Sequence, residues 1–75
     1  MRHELFHMER DVLEVGDHVE IIEGQLPFSY YYTITPALAM SKNYKASERL
    51  KTREGIVVSK ERNGSTYEIY VDFNE

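Results

Sequence analysis

Asn63-Gly64 is the feature that most restricts how this chain folds. Both residues accept positive φ, which a type I′ turn needs at its two central positions. The segments on either side, residues 54–62 and 65–73, are rich in β-branched and aromatic residues. A turn centred on Asn63-Gly64 predicts Arg62 opposite Ser65, Lys60 opposite Tyr67, Val58 opposite Ile69 and Ile56 opposite Val71. Ile56, Val58, Tyr67, Ile69, Val71 and Phe73 then share the core face, and Val57, Ser59, Glu68, Tyr70 and Asp72 the other. A slip of one residue exchanges the two faces, so the pattern specifies a register. A lone hairpin is marginal in water, so more strands are expected to pack with it.

The rest of the chain supplies them. In Val15-Gly16-Asp17-His18-Val19-Glu20-Ile21-Ile22, Gly16-Asp17 reads as a tight turn into a strand. Val19 and Ile21 point one way along it, and His18, Glu20 and Ile22 the other. Gly24 is expected to end it. Phe28-Ser29-Tyr30-Tyr31-Tyr32-Thr33-Ile34 reads as a further strand bracketed by Pro27 and Pro36. The apolar run Pro36-Ala37-Leu38-Ala39-Met40 is expected to tuck under the sheet. Residues 41–51 read as a loop with one short helical turn. Leu5, Met8 and Val12 recur at helical spacing, so residues 1–11 read as an N-terminal tail or a short helix, and residues 12–75 as the folded domain.

At 75 residues there is room for one small core, and with no cysteine the chain has neither disulfides nor thiolate metal ligands. Stability has to come from buried Ile, Val, Leu, Phe and Tyr. The first residues show no signal peptide and no stretch approaches the roughly 20 apolar residues that span a bilayer. A cytoplasmic protein is therefore expected, with no membrane partner. The net charge of −4 conceals a segregation: residues 1–41 sum to −5, residues 42–62 to +4 and residues 63–75 to −3. Overall acidity argues against non-specific nucleic-acid binding, while the middle segment can still present a positive surface.

Three sets of residues carry candidate chemistry. His3-Glu4-Leu5-Phe6-His7 matches H-E-x-x-H, which on a helix sets two zinc ligands one turn apart with a glutamate beside them. Its position with no predicted sheet beside it favours a solvated segment, and neither a metal nor another cofactor is expected. Tyr30-Tyr31-Tyr32 places two rings on one face of a strand and one on the other, and Tyr70 is expected on an outer face. Such rings are common at peptide-binding surfaces, and equally common as small-domain core. The basic run Lys42, Lys45, Arg49, Lys51, Arg53 contains Tyr44. Beside the tyrosines it would make a positive aromatic surface. His18 has no serine or cysteine placed near it, and the glycines suit turns and strand starts rather than a phosphate loop. No catalysis is expected.

Val15-Gly16-Asp17-His18-Val19-Glu20-Ile21, Glu54-Gly55-Ile56-Val57-Val58, Asn63-Gly64 and Tyr67-Glu68-Ile69-Tyr70-Val71-Asp72-Phe73 together resemble the small SH3-like barrels, including KOW and Tudor-like groups and several short bacterial proteins. The resemblance covers about thirty residues and implies a mostly β fold of four to five antiparallel strands. A long loop would then separate the first strand from the C-terminal hairpin. The chain lacks the tryptophan and the Ala-Leu-Tyr-Asp-Tyr run of proline-binding SH3 domains, and the tight spacing of ribosomal KOW motifs. The function expected is a non-catalytic module that binds a protein or peptide partner, or a second copy of itself, through Tyr30, Tyr32, Tyr44, Lys45, Arg49 and Tyr70. The alternative is a nucleic-acid-binding accessory protein using loop 42–53 and the same tyrosines.

Overall fold

The computed structural model describes residues 1–36 and 39–75. Ala37 and Leu38, within the apolar run expected to tuck under the sheet, lie outside the described residues. Among the described residues six strands form a closed barrel: β1 (Arg2–Met8), β2 (His18–Gln25), β3 (Tyr30–Ile34), β4 (Ala39–Ser41), β5 (Glu54–Asn63) and β6 (Thr66–Phe73). The cyclic order is β1-β4-β3-β2-β5-β6, with every neighbouring pair antiparallel. A mostly β barrel was expected, but with four to five strands. The two additional strands come from segments read as tail and connector. The expected long loop holds β3, β4 and a single 3₁₀ turn, Ala46–Glu48.

Residues 2–8 are neither tail nor helix. They pair with β6 from Arg2↔Phe73 to Met8↔Tyr67 and with β4 at Phe6↔Ser41 and His7↔Met40. A helix of this length is unstable by itself, whereas a strand here pairs along its whole length with β6, at Phe6 and His7 also with β4, and buries Phe6 and Met8. Period two, not the Leu5–Met8–Val12 spacing, is the pattern that governs the segment.

The hairpin forms one residue later than expected. Its two-residue turn is Gly64-Ser65, with Gly64 at φ +67°. Arg62 faces Tyr67 and Lys60 faces Ile69. A β-bulge between Val57 and Ser59 then shifts the register, so Val57 faces Val71 and Gly55 faces Phe73. Tyr67, Ile69, Val71 and Phe73 point to the core side as expected. On β5 the expectation is reversed: Val57 is buried, while Ile56 and Val58 are partly exposed. Moving the turn by one residue shifts the pairing by two and keeps the faces; the bulge takes one residue back, and the single-residue offset that remains exchanges the faces of residues 54–58.

Val19 and Ile21 are buried and His18, Glu20 and Ile22 exposed, as the alternation requires. β2 runs past Gly24 to Gln25. Gly24 instead makes room for a ring: a Cβ there would lie 2.1 Å from the Tyr31 Cζ across the strand pair. Gly55 is a second close approach. A Cβ there would lie 2.6 Å from Val71 Cγ1 and 2.8 Å from the Asp72 carbonyl. The core comprises Phe6, Met8, Val19, Ile21, Tyr32, Ile34, Ala39, Val57, Ile69, Val71 and Phe73 from the strands. Leu13, Tyr44 and Leu50 join it from the connections.

Gly55→Ala is expected to destabilise the barrel by about 1–3 kcal/mol through overpacking against core and backbone. Urea unfolding would read this as a lower midpoint with an unchanged slope.

Candidate functional site: the connector end of the barrel

One end of the barrel is covered by residues 42–53, and the hydroxyls of two buried tyrosines hold that cover in place. Tyr32 and Tyr44 are 0% and 3% exposed, with ring centroids 5.7 Å apart. The Tyr32 hydroxyl donates to Glu23 Oε2 at 2.8 Å and accepts the Leu50 N–H at 2.7 Å. Tyr44 donates to Glu4 Oε1 at 2.7 Å, and its backbone exchanges two hydrogen bonds with Tyr30. Glu23 also binds Arg49 through Nε (3.1 Å) and Nη2 (2.6 Å), and lies 3.6 Å from Arg53. Arg2 bonds Glu4, Glu75 and the carbonyls of Glu48 and Arg49. Glu75 in turn accepts from the N–H groups of Lys51 and Thr52 and the Thr52 hydroxyl.

These contacts set the acid–base behaviour of the end. The Arg49 bonds hold the Glu23 carboxyl below the usual range; partial burial opposes this, and Tyr32 and Arg53 reinforce it. Burial pushes Glu75 up, but the hydrogen bonds from Thr52, Lys51 and Arg2 outweigh it and leave that carboxyl lowered. Burial and then the adjacent glutamate raise both phenols, Tyr32 beside Glu23 and Tyr44 beside Glu4. At the other end, hydrogen bonds to Asp11 and Glu14 push the Lys60 ammonium up to about 12 and tie the β1–β2 connection across the barrel.

Of the residues expected at a binding surface, the structure gathers Tyr30, Lys45 and Arg49. Tyr30 is half-buried, and its ring carries the Arg49 guanidinium 4.2 Å from the centroid. Lys45 is exposed at the start of the 3₁₀ turn. Tyr32 and Tyr44 face inward and offer no ring to solvent, because their carboxylate partners let phenols serve as core. Tyr70 is 37% exposed but lies on β6, three strands from β3 in either direction round the barrel. It belongs to the opposite face.

The tip of the β2–β3 hairpin adds residues that the sequence reading missed. Leu26 N–H bonds the Ser29 carbonyl at 2.8 Å, closing a turn over Pro27 and Phe28. Phe28 is 98% exposed and Leu26 41%. β3 begins at Tyr30, so Phe28 is a turn residue rather than a strand residue, consistent with Pro27 preceding it. The sequence-level signal was the Leu-Pro-Phe-Ser string itself. Among the described residues Lys42, Lys45 and Lys51 make no ion pair. Lys42 lies 5.1 Å from the Tyr44 centroid, which places it at the same end.

The H-E-x-x-H string does not make a metal centre. On β1, His3 and His7 share the outer face but sit about 13 Å apart along the strand, at ~3.3 Å per residue. Glu4 points the other way, to Tyr44. The zinc-ligand spacing of that string needs a helix, and a strand replaces it. Among the described residues no group of three or more His, Asp or Glu side chains is placed to hold a metal ion, and no helix is long and apolar enough to cross a membrane. No protein-family model matches the chain, and no curated protein or solved structure matches it significantly. The geometry of the site is therefore the basis for any functional reading.

Two measurements check this network. Tyr32→Phe removes the acceptor of the buried Leu50 N–H and is expected to cost about 1–3 kcal/mol in urea unfolding. Glu23 and Glu75 both bind protons less readily folded than unfolded. Their contribution is complete above the unfolded value of about 4.3 and is lost as pH falls from there through the folded values. Urea midpoints should therefore fall below about pH 4.3, and Glu23→Gln should flatten that fall.

Proposed function

We propose that this chain is a non-catalytic interaction module on an SH3-like barrel, acting in the cytoplasm and binding a protein or peptide partner at its connector end. The observation that carries the reading is Phe28, an almost fully exposed aromatic ring on a hydrogen-bonded turn. Exposed aromatics of this kind serve as anchors that insert into a partner's pocket. Leu26 and the Arg49-covered ring of Tyr30 extend the apolar surface beside it. Lys42, Lys45 and Lys51 supply unneutralised charge at the rim, so an acidic partner surface fits best. The absence of cysteine suits a reducing compartment.

The same three ammonium groups favour a second reading, nucleic-acid binding. Its weakness is that Tyr32 and Tyr44 are buried, which leaves few rings for stacking on bases.

Capture from native lysate, with and without nuclease, separates the two. The immobilised wild type is compared with a Phe28→Ser/Lys45→Glu double variant that retains its far-ultraviolet dichroism. The expected result is a protein held by the wild type after nuclease treatment and lost from the variant. Equal capture by both overturns the proposal. Loss of all capture on nuclease treatment, with binding to oligonucleotides that falls steeply with salt, moves the assignment to nucleic acid.

A further inference from the structure

The outer face of β5, β6 and β1, on the far side from Phe28, carries a second surface. Outward residues of β1 are His3, Leu5 and His7, and those opposite them on β6 are Asp72, Tyr70 and Glu68. Leu5 and Tyr70 form the middle of this patch. Ile56 and the bulge residue Val58, on β5, widen it; these two and Tyr70 are each more than a third exposed. On either side of the Leu5–Tyr70 pair stands a histidine–carboxylate pair. His3 Nδ1 is 2.5 Å from Asp72 Oδ1, and His7 Nε2 is 3.2 Å from Glu68 Oε2. The His3 ring also stacks on Tyr70, with centroids 4.5 Å apart and planes within 8°.

We propose that this face is the interface of a two-fold homodimer. Its pattern is complementary to itself: histidines run along one strand, carboxylates along the next, and apolar side chains lie between them. A two-fold axis parallel to β1 and β6, passing between them, sets β1 of one copy over β6 of the other. His3 and His7 then lie over Asp72 and Glu68 of the second copy, and Leu5 lies over its Tyr70. Every contact occurs twice, as an isologous interface requires. The barrel measures 30 × 25 × 19 Å, so a broad face is comparable in size with the roughly 800 Å² that each partner contributes to a standard interface. β1 and β6 pair with each other along their whole length, so association over this seam uses the outer face rather than strand addition. The proposal does not rest on the partner-binding reading above; it leaves the two Phe28 tips on opposite outer sides of the pair.

Sedimentation equilibrium over a concentration series tests it. The wild type is expected to move from 8.8 kDa to twice that mass as concentration rises. Tyr70→Lys should weaken association by at least about tenfold, and Phe28→Ser should leave it unchanged. A charge exchange keeps the idea testable if Tyr70→Lys fails to fold. His3→Glu/His7→Glu makes both strands acidic, and Glu68→Lys/Asp72→Lys makes both basic. Each variant alone should be monomeric, and an equimolar mixture should form the dimer. A wild type that stays at 8.8 kDa at every concentration overturns the proposal. So does a dimer that survives Tyr70→Lys or is lost on Phe28→Ser, or a mixture of the two charge variants that remains monomeric.

Discussion

The Tyr32 hydroxyl is the joint between barrel and connector. It lies in the core, accepts the Leu50 N–H and donates to Glu23, which in turn grips Arg49. Without that oxygen, a buried backbone donor has no partner and the glutamate loses one of its two anchoring directions. Residues 42–53 contain only three residues of helix, so regular backbone bonding does little to hold them. Their position over the barrel end follows from side chains that reach them: Tyr32, Arg2 and Glu75. The placement of Lys45, Arg49 and their neighbours around Tyr30 is a consequence of that buried phenol.

Arginine and lysine divide the labour in this segment. Arg49 and Arg53 converge on Glu23, and Arg2 binds carboxylates and carbonyls together, as a planar fork of donors allows. Lys42, Lys45 and Lys51 stay solvated. The positive balance of residues 42–62 is thus partly structural: Arg49, Arg53 and Lys60 are consumed in holding the fold, and Lys42, Lys45 and Lys51 are left at the connector end to act on something else.

Much of the barrel was legible in the chain because alternation reports which way a strand faces. β2 and β6 follow it residue by residue. β5 does not, because a bulge leaves no signature in a run as uniformly β-branched as Ile56-Val57-Val58. β1 was hidden by a coincidence of spacing, since Leu5 and Met8 fit a helix as readily as Phe6 and Met8 fit a strand. Only pairing with β6, distant in the chain, decides between them. The site was legible in part. Lys45, Arg49 and Tyr30 do come together, but the inward turn of Tyr44 depends on Glu4, forty positions earlier in the chain. Phe28 was absorbed into a strand because a β-favouring residue beside strand residues looks like more strand. Tyr70 could be assigned to an outer face from its neighbours, but which side of a closed cylinder it occupies is a property of the strand order alone.

The β1–β6 seam joins the two ends of the described chain, with Arg2 opposite Phe73. During synthesis β1 leaves the ribosome before the other strands, and its partner β6 begins only at Thr66. Until then Phe6 and Met8 have no companion strand on that side, and β4, with three residues, shields little of them. Closing such a span is entropically demanding and slow compared with forming the β2–β3 or β5–β6 hairpins. A nascent chain of this kind therefore spends its early life as an incomplete cylinder with an adhesive unpaired strand, a state that molecular chaperones are suited to protect.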